Sequence, residues 1–174
     1  LQVDKLAAGG SSSSLGATAA STAIVLGDGT NAATLEYKGT TGDSSDRQFT
    51  ITSGSTGTIY ASNASFSALT LSGAVANNGD LTFNVVNGTL TESGVISGTT
   101  ASHSKLTKTG TGTVYLNQVA NTYTGQTTVG QGTLQVDKLA AGGSSSSLGA
   151  TAASTAIVLG DGTNAATLEY KGTT

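Results

Sequence analysis

The sequence contains no cysteine, proline, methionine or tryptophan, and only 10% of its residues are charged. Without cysteine the protein forms no disulfides or thiolate metal sites, so its stability must come from hydrogen-bond ladders and packing. Seven lysines and arginines against ten acidic residues give a net charge of −3, which argues against nucleic-acid binding because that needs a basic surface. No apolar run reaches the roughly 18 residues of a membrane-spanning helix, so we expect no membrane insertion of this segment.

What the sequence does contain is small polar residues mixed with regularly spaced hydrophobic ones. Hydrophobic residues make up 36% of the chain, and glycine alone occurs 25 times. A disordered chain would be poor in hydrophobic residues and rich in net charge, and this one is neither. The composition therefore indicates a folded protein with a narrow core built from many thin layers.

The segment from Leu1 to Thr41 recurs without a single difference at the other end of the sequence, from Leu134 to Thr174. Duplicated domains normally diverge at tolerant positions, so exact identity over this length indicates a tandem array such as a solenoid. We expect residues 1–133 to be one full repeat unit and residues 134–174 the start of the next, in a continuous solenoid without a separate domain.

Short segments of alternating apolar and polar residues follow one another along the chain. Phe49 and Ile51 belong to one such segment, and Val114 and Leu116 to another. A period of two predicts strands with one buried face. Sequences such as GDGT, NNGD and VNGT separate them and supply the glycine and asparagine of tight turns. No segment has sustained helical periodicity, so the protein is predicted to be all-β.

The spacing of these segments predicts a parallel β-helix, or β-solenoid, of about 20–25 residues per coil with strands stacked about 4.8 Å apart. The prediction rests on two pairs of segments that match at the same interval. One pair joins Phe49 and Ile51 to Leu69 and Leu71, and the other joins Val114 and Leu116 to Leu134 and Val136. A β-sandwich is the alternative, but a closed domain would not explain the long exact repeat.

The stretch that starts at Leu106 reads LTKTGTGTVYLNQVANTYTGQTTVGQGTLQV and ends at Val136. It resembles the autotransporter-associated β-strand repeat, also called the passenger-associated transport repeat, in which LTKTG, NTYTG, TTV and GTLQV stand in this order and at this spacing. Tyr115 fills a variable position, and NQVA replaces the usual SGA before Asn121. The resemblance implies a right-handed parallel β-helix in an exported bacterial surface protein, an adhesin or an autotransporter passenger.

The resemblance assigns structural roles and no catalytic, cofactor or metal site. It implies core positions, turn glycines and corner residues in the matching stretch. These are Leu106, Val114, Leu116, Leu134 and Val136 in the core, Gly110, Gly112, Gly125 and Gly132 in turns, and Asn121 and Tyr123 at a corner.

Three further features are candidate chemical sites. His103 is the only histidine, and without nearby partners it is predicted to be a solvated loop residue. Asp43 and Asp46, beside Arg47, could form the carboxylate pair of a glycosidase, but a turn with an exposed ion pair is the favoured interpretation. The stretch LGDGTNAAT around Asp28 resembles one unit of a calcium-binding β-roll, and a Gly-Asp-Gly turn is favoured instead.

The sequence therefore predicts a non-enzymatic, extracellular structural segment of a bacterial surface fibre or stalk, without a cofactor. Its expected partners are identical repeats stacked head to tail. A ligand-binding adhesin is the alternative, with an unidentified surface or glycan ligand and with Tyr115 and the loop from Ala7 to Leu15 as candidate contacts. A polysaccharide-active β-helix is the least favoured interpretation, because the acidic residues are scattered.

Overall fold

The computed structural model describes residues 1–40, 42–98, 100, 102–118 and 120–172, and in these parts of the chain it contains short strands and no helix. No helix long and apolar enough to cross a membrane is present among them. The strands are β1 (Gln2–Val3), β2 (Ile24–Leu26), β3 (Ala33–Tyr37), β4 (Asp43–Ser45), β5 (Phe49–Ile51), β6 (Thr56–Ala61), β7 (Ala68–Leu71), β8 (Val75–Asn77), β9 (Asp80–Val85), β10 (Thr89–Glu92), β11 (Ile96–Ser97), β12 (Leu106–Thr109), β13 (Thr113–Leu116), β14 (Thr127–Val129), β15 (Gly132–Val136), β16 (Val158–Leu159) and β17 (Ala166–Tyr170).

The strands form three parallel sheets, which are the three faces of one solenoid. Face 1 has the order β1, β3, β6, β9, β12, β14, β16, face 2 has the order β4, β7, β10, β13, β15, β17, and face 3 has the order β2, β5, β8, β11. The chain visits face 1, face 2 and face 3 in turn and then returns to face 1 one layer further on. The prediction of an all-β parallel solenoid is confirmed.

One of the two predicted strand matches is confirmed and the other is wrong. Val114 pairs with Leu134, as the spacing predicts. Phe49 does not pair with Leu69, because Phe49 lies on face 3 and pairs with Val75, whereas Leu69 lies on face 2 and pairs with Leu90. Strands on all three faces share the same period of two, so periodicity alone does not assign a strand to its face.

Two turns of the solenoid are much longer than predicted. One runs from Val3 to its partner Tyr37, and the other runs from Leu134 to its partner Leu168. The extra length is the serine-rich segment, which we define as residues 5–20 in the first copy and 138–153 in the second. It contains no strand among the described residues and lies outside the regular sheets.

The inward side chains of neighbouring turns form rows along the axis. On face 2 the row runs through Ser45, Leu71, Glu92, Leu116 and Val136, each directly over the last. All five are buried. Most rows are aliphatic or aromatic, so the core is a continuous column filled layer by layer, as the alternating sequence predicts. Glu92 in the middle of this row is unexpected.

Candidate functional site: the turn at residues 106–136

The stretch that carried the resemblance forms one full turn of the solenoid and two faces of the next, because β14 stacks on β12 and β15 stacks on β13. β12 lies over β9 on face 1, and β13 lies over β10 on face 2. The chain then crosses face 3 without a named strand and continues as β14 and β15. β16 and β17 of the second copy cover β14 and β15. The later strands of the second copy therefore stack directly on this stretch.

The structure places the predicted core side chains of this turn in the interior. Leu106 is 1% exposed, and Val114, Leu116, Leu134 and Val136 are 0% exposed. Each lies in register with residues of the neighbouring turns through parallel pairing. Their burial follows from the period-two pattern, which aims every second side chain at the axis.

The predicted turn glycines occupy two kinds of position. Gly110 and Gly132 have φ angles of 77° and 72°, which L side chains rarely adopt. Gly112 and Gly125 are needed for space instead, since a Cβ on Gly125 would lie 2.5 Å from the carbonyl carbon of Ser104. The corners of this turn therefore press directly against the turn before it.

Asn121 lies at the corner on face 3 and bonds to the turns on both sides. Its side-chain Oδ1 accepts a hydrogen bond from the Ile96 amide at 2.9 Å, and its Nδ2 donates to the Ser147 carbonyl at 3.0 Å. Its own amide donates to the Ser146 carbonyl at 3.1 Å. Since Asn121 is 0% exposed, these bonds satisfy groups that water does not reach.

Tyr123 lies beside Asn121 and is also 0% exposed. Its hydroxyl shares a 2.8 Å hydrogen bond with the hydroxyl of Thr127, and its carbonyl accepts from the Ala150 amide at 2.9 Å. Burial raises the pKa of the Tyr123 hydroxyl. Asn121 and Tyr123 thus both hydrogen-bond to the serine-rich segment of the second copy.

Lys108 is a buried, charged side chain of this turn that the sequence analysis missed. It points inward and is 1% exposed. Its ammonium donates to the carbonyls of Thr109 and Gly110, both at 2.7 Å, and of Gln131 at 3.1 Å. Burial lowers its pKa to about 8. The available signal was its place two positions after Leu106, where alternation points the side chain inward.

Glu92 lies one turn earlier. The sequence analysis missed it as well, although its place in the alternation also points the side chain inward. Its Oε1 accepts from the Gly94 amide at 2.8 Å, and its Oε2 has no hydrogen-bond partner in the described part of the chain. Burial raises the pKa of Glu92 well above the ordinary value, because the charged form of the carboxyl loses its hydration in the core. The alternation in TLTE, with Leu90 inward, could have revealed it.

Residues 106–136 match the family model of the passenger-associated-transport-repeat. This stretch, which we call the transport repeat, is similar to that family. The match spans β12 to β15, so the family pattern corresponds to one full turn of the solenoid and two faces of the turn that stacks on it. In this stretch and in its solenoid fold, the chain is similar to the repeat segments of autotransporter passengers. Neither a curated protein nor a solved structure is significantly similar to the chain.

Within the transport repeat, Tyr115 points outward as predicted for an exposed contact. Its hydroxyl lies 2.8 and 2.7 Å from the two oxygens of the Asp137 carboxylate. This hydrogen bond raises the pKa of Tyr115. The ring is partly exposed, but its polar end is already used to tie the transport repeat to the second copy.

Asp43 and Asp46 bind backbone rather than Arg47. Asp43 Oδ2 accepts from the Leu6 amide at 2.8 Å, and Asp46 Oδ1 accepts from the Gly9 amide at 2.6 Å. Arg47 is 6% exposed and donates to the Leu15 carbonyl at 3.4 Å. The predicted exposed ion pair is therefore wrong. Among the described residues the ion pairs join Lys38 to Glu36 and Lys105 to Asp80.

The stretch around Asp28 forms the favoured turn. Asp28 Oδ1 accepts from the amides of Thr30 and Asn31 at 2.9 and 2.7 Å, and Oδ2 accepts from the Asn31 side chain at 2.8 Å. These bonds lower the Asp28 pKa to about 2. His103 lies in a loop, and its amide donates to the Thr100 carbonyl. The described residues contain no group of three or more His, Cys, Asp and Glu side chains placed to hold a metal ion.

Proposed function

We propose that this chain is a structural segment of a long extracellular fibre or stalk on a bacterial surface, built from stacked tandem repeats and without enzymatic activity. The observation that carries the proposal is that the two identical copies are buried on opposite sides. Leu1 is 73% exposed whereas its equivalent Leu134 is 0% exposed, because only the second copy has a turn before it. Leu6 is 3% exposed whereas its equivalent Leu139 is 53% exposed, because only the first copy has a turn after it.

The physical reason to stack is the open rim of the solenoid. Each end presents unpaired backbone N–H and C=O groups and apolar side chains, which favour association with another strand. A following unit with the same sequence can cover this rim with contacts that the first copy already makes. Stability in such arrays is roughly a sum of unit and neighbour terms, so further units lengthen the rod without a new design.

The proposal is tested by the length of chains with increasing numbers of units. Chains of one, two and three complete repeat units, each ending in the shorter second copy, would be compared by small-angle scattering and electron microscopy. We expect a rod of constant width that grows by about 26 Å per unit, from a rise of about 4.8 Å per turn. Beads that hang on flexible linkers, or a length that does not change, would contradict it.

The mass of native material separates two forms of the fibre. A denatured species far larger than 16.9 kDa, cleaved into pieces that differ by one repeat unit, would establish one covalent chain. A discrete small subunit would instead mean end-to-end assembly through the exposed rims.

A second candidate function is a ligand-binding adhesin for a surface or glycan. The observation in its favour is the loop from Ala7 to Leu15, which leaves the regular turn and is largely exposed. The test is binding of the chain to bacterial or host cell surfaces and to immobilised glycans, before and after this loop is replaced by glycine and serine. Binding that depends on the loop supports the adhesin, and equal binding by both forms counts against it.

A further inference from the structure

The second copy carries an open cavity of about 150 Å³ beside its serine-rich segment. Leu139, Ala140, Gly142 and Leu148 are among the residues that line it. Leu139 is 53% exposed there. The cavity faces the side of the solenoid on which a further turn would be added.

The first copy shows what occupies the same place. The equivalents of those four residues are Leu6, Ala7, Gly9 and Leu15, because Leu134 in the second copy corresponds to Leu1 in the first. All four bind the acidic turn, which we define as residues 43–47. The amides of Leu6 and Gly9 donate to Asp43 and Asp46, and the carbonyls of Ala7 and Leu15 accept from Ser45 and Arg47, at 2.8, 2.6, 3.0 and 3.4 Å.

We propose that the cavity over residues 139–157 is the docking site for the acidic turn of the same, second repeat unit in a longer chain. The inference rests on the proposed function, because it requires the repeat to continue as in the first unit. Two carboxylates would bind the amides of Leu139 and Gly142, and an arginine would bind the Leu148 carbonyl. The acidic turn is then the joint between each serine-rich segment and the next turn of the fibre.

The test compares this chain with a chain of two complete units by amide hydrogen exchange. In the longer chain we expect the amides of Leu139 and Gly142 to exchange at least about tenfold more slowly, as hydrogen-bonded amides do. Replacing the second unit's equivalents of Asp43 and Asp46 by alanine, which removes the accepting oxygens, should remove most of that protection. Asp46→Ala in the present chain, which should speed exchange at Gly9, is the matched control.

Two failures are distinguishable. If the amides of β17 become protected while those of Leu139 and Gly142 do not, the rest of the second unit stacks but its acidic turn does not dock, and this inference is overturned. If β17 also stays unprotected, the stacking itself fails and the proposed function is contradicted.

A second inference comes from the order of strands. β1, β2 and β3 lie on faces 1, 3 and 1, whereas the strands at the equivalent positions of the second copy, β15, β16 and β17, lie on faces 2, 1 and 2. Every equivalent strand has moved by one face in the same direction. From β1 to β15 the chain takes sixteen steps of one face, counting the strandless crossings at residues 5–20 and 121–124, which is five turns and one further face.

The strand order thus assigns each repeat unit a rotation of one face, about 120°, relative to the unit before it. The serine-rich segment follows the same rule. In the first copy it lies beside β4 on face 2, and in the second copy it lies against Asn121 on face 3. In a fibre the serine-rich segments of successive units therefore project from the three faces in turn. A partner that binds this segment would find a copy of it on every face of the fibre.

Because the chain has no cysteine, Ser11→Cys in every unit of a long array gives one label per unit. Electron microscopy with maleimide-gold should show three rows of label, each repeating about every 77 Å, apart from the gradual twist of the faces. A single row repeating about every 26 Å would overturn the rotation while leaving the rod intact. Absence of a rod would count against the proposed function instead.

Discussion

The two copies of the repeated sequence are the same chain in two environments. Tyr37 is 0% exposed and lies edge-on to the ring of Phe66, whereas the equivalent Tyr170 is 50% exposed. In the opposite direction, Ser14 is exposed and its equivalent Ser147 is fully buried under Asn121. Burial in a solenoid therefore requires the neighbouring turns in addition to the local alternation of the sequence.

Local turn chemistry behaves differently. Asp28 and its equivalent Asp161 accept the same three hydrogen bonds at the same distances, 2.9, 2.7 and 2.8 Å. The pKa of each carboxyl is lowered to about 2, with the Asn31 or Asn164 side chain as the main cause. The first turn is contacted by Ser55 of the layer after it and the second by Gln131 of the layer before it, so the same local bonds form with either neighbour.

The largest expected difference between the copies is at the tyrosines. Tyr37→Ala should lower the free energy of unfolding by about 3–5 kcal/mol, because it empties a buried aromatic site. Tyr170→Ala should cost less than about 1 kcal/mol, because half of the ring is already in water. Urea denaturation of both variants measures the two effects. Equal costs would mean that the copies are equally covered in solution.

Of the two copies, Asn121 contacts only the second, so its loss should affect the second copy and leave the first unchanged. Asn121→Ala leaves the Ile96 amide and the Ser147 carbonyl without their buried partner and should cost about 2–3 kcal/mol. Hydrogen exchange at residues 146–150 should rise, while exchange in residues 1–40 stays constant. Asn117→Ala, at an exposed position of the same turn, is the control and should change stability by less than about 0.5 kcal/mol.

Glu92 lies between the two copies in the sequence. Its ionisation should therefore change the stability of the whole chain without altering the difference in burial between the copies. Its folded-state pKa is raised, so the unfolded chain loses the proton first as the pH rises above about 4.3. Stability should therefore fall from that pH upward, by at most about 1.4 kcal/mol per pH unit, until the folded-state pKa is reached. Glu92→Gln should remove this slope. Urea midpoints from pH 4 to pH 7 measure it, and an unchanged slope in the variant would assign the effect to another group.

The smallest expected difference is at the aspartate turns. Asp28→Ala and Asp161→Ala should destabilise their own turns equally, because both carboxylates make the same local bonds. Since both pKa values are lowered, this contribution is present above the unfolded value near 3.8 and is lost as the pH falls through about 2. Amide exchange at Asn31 and Asn164 measures it at each site. Unequal effects would show that these turns also depend on stacking.

The sequence was sufficient for the strands and for the parallel solenoid, since alternation and exact repetition are both visible in it. It was insufficient for the assignment of strands to faces, as the misplaced partner of Phe49 shows, because all three faces carry the same pattern. It also hid Glu92 and Lys108, since a charged residue suggests an outward side chain although its position in the alternation is inward. The role of the acidic turn required the pairing of segments that are distant in the sequence, such as Leu6 with Asp43.

The serine-rich segment has a consequence for engineering. Val3 and Tyr37 stay in register although this whole segment and β2 lie between them, because parallel pairing depends on which strands meet and not on the length of chain between them. Loop-closure cost grows only slowly with length. The tip of this segment, near Gly10 and Gly16, is thus a natural insertion point for foreign peptides, and an array of units would display them at high and regular density.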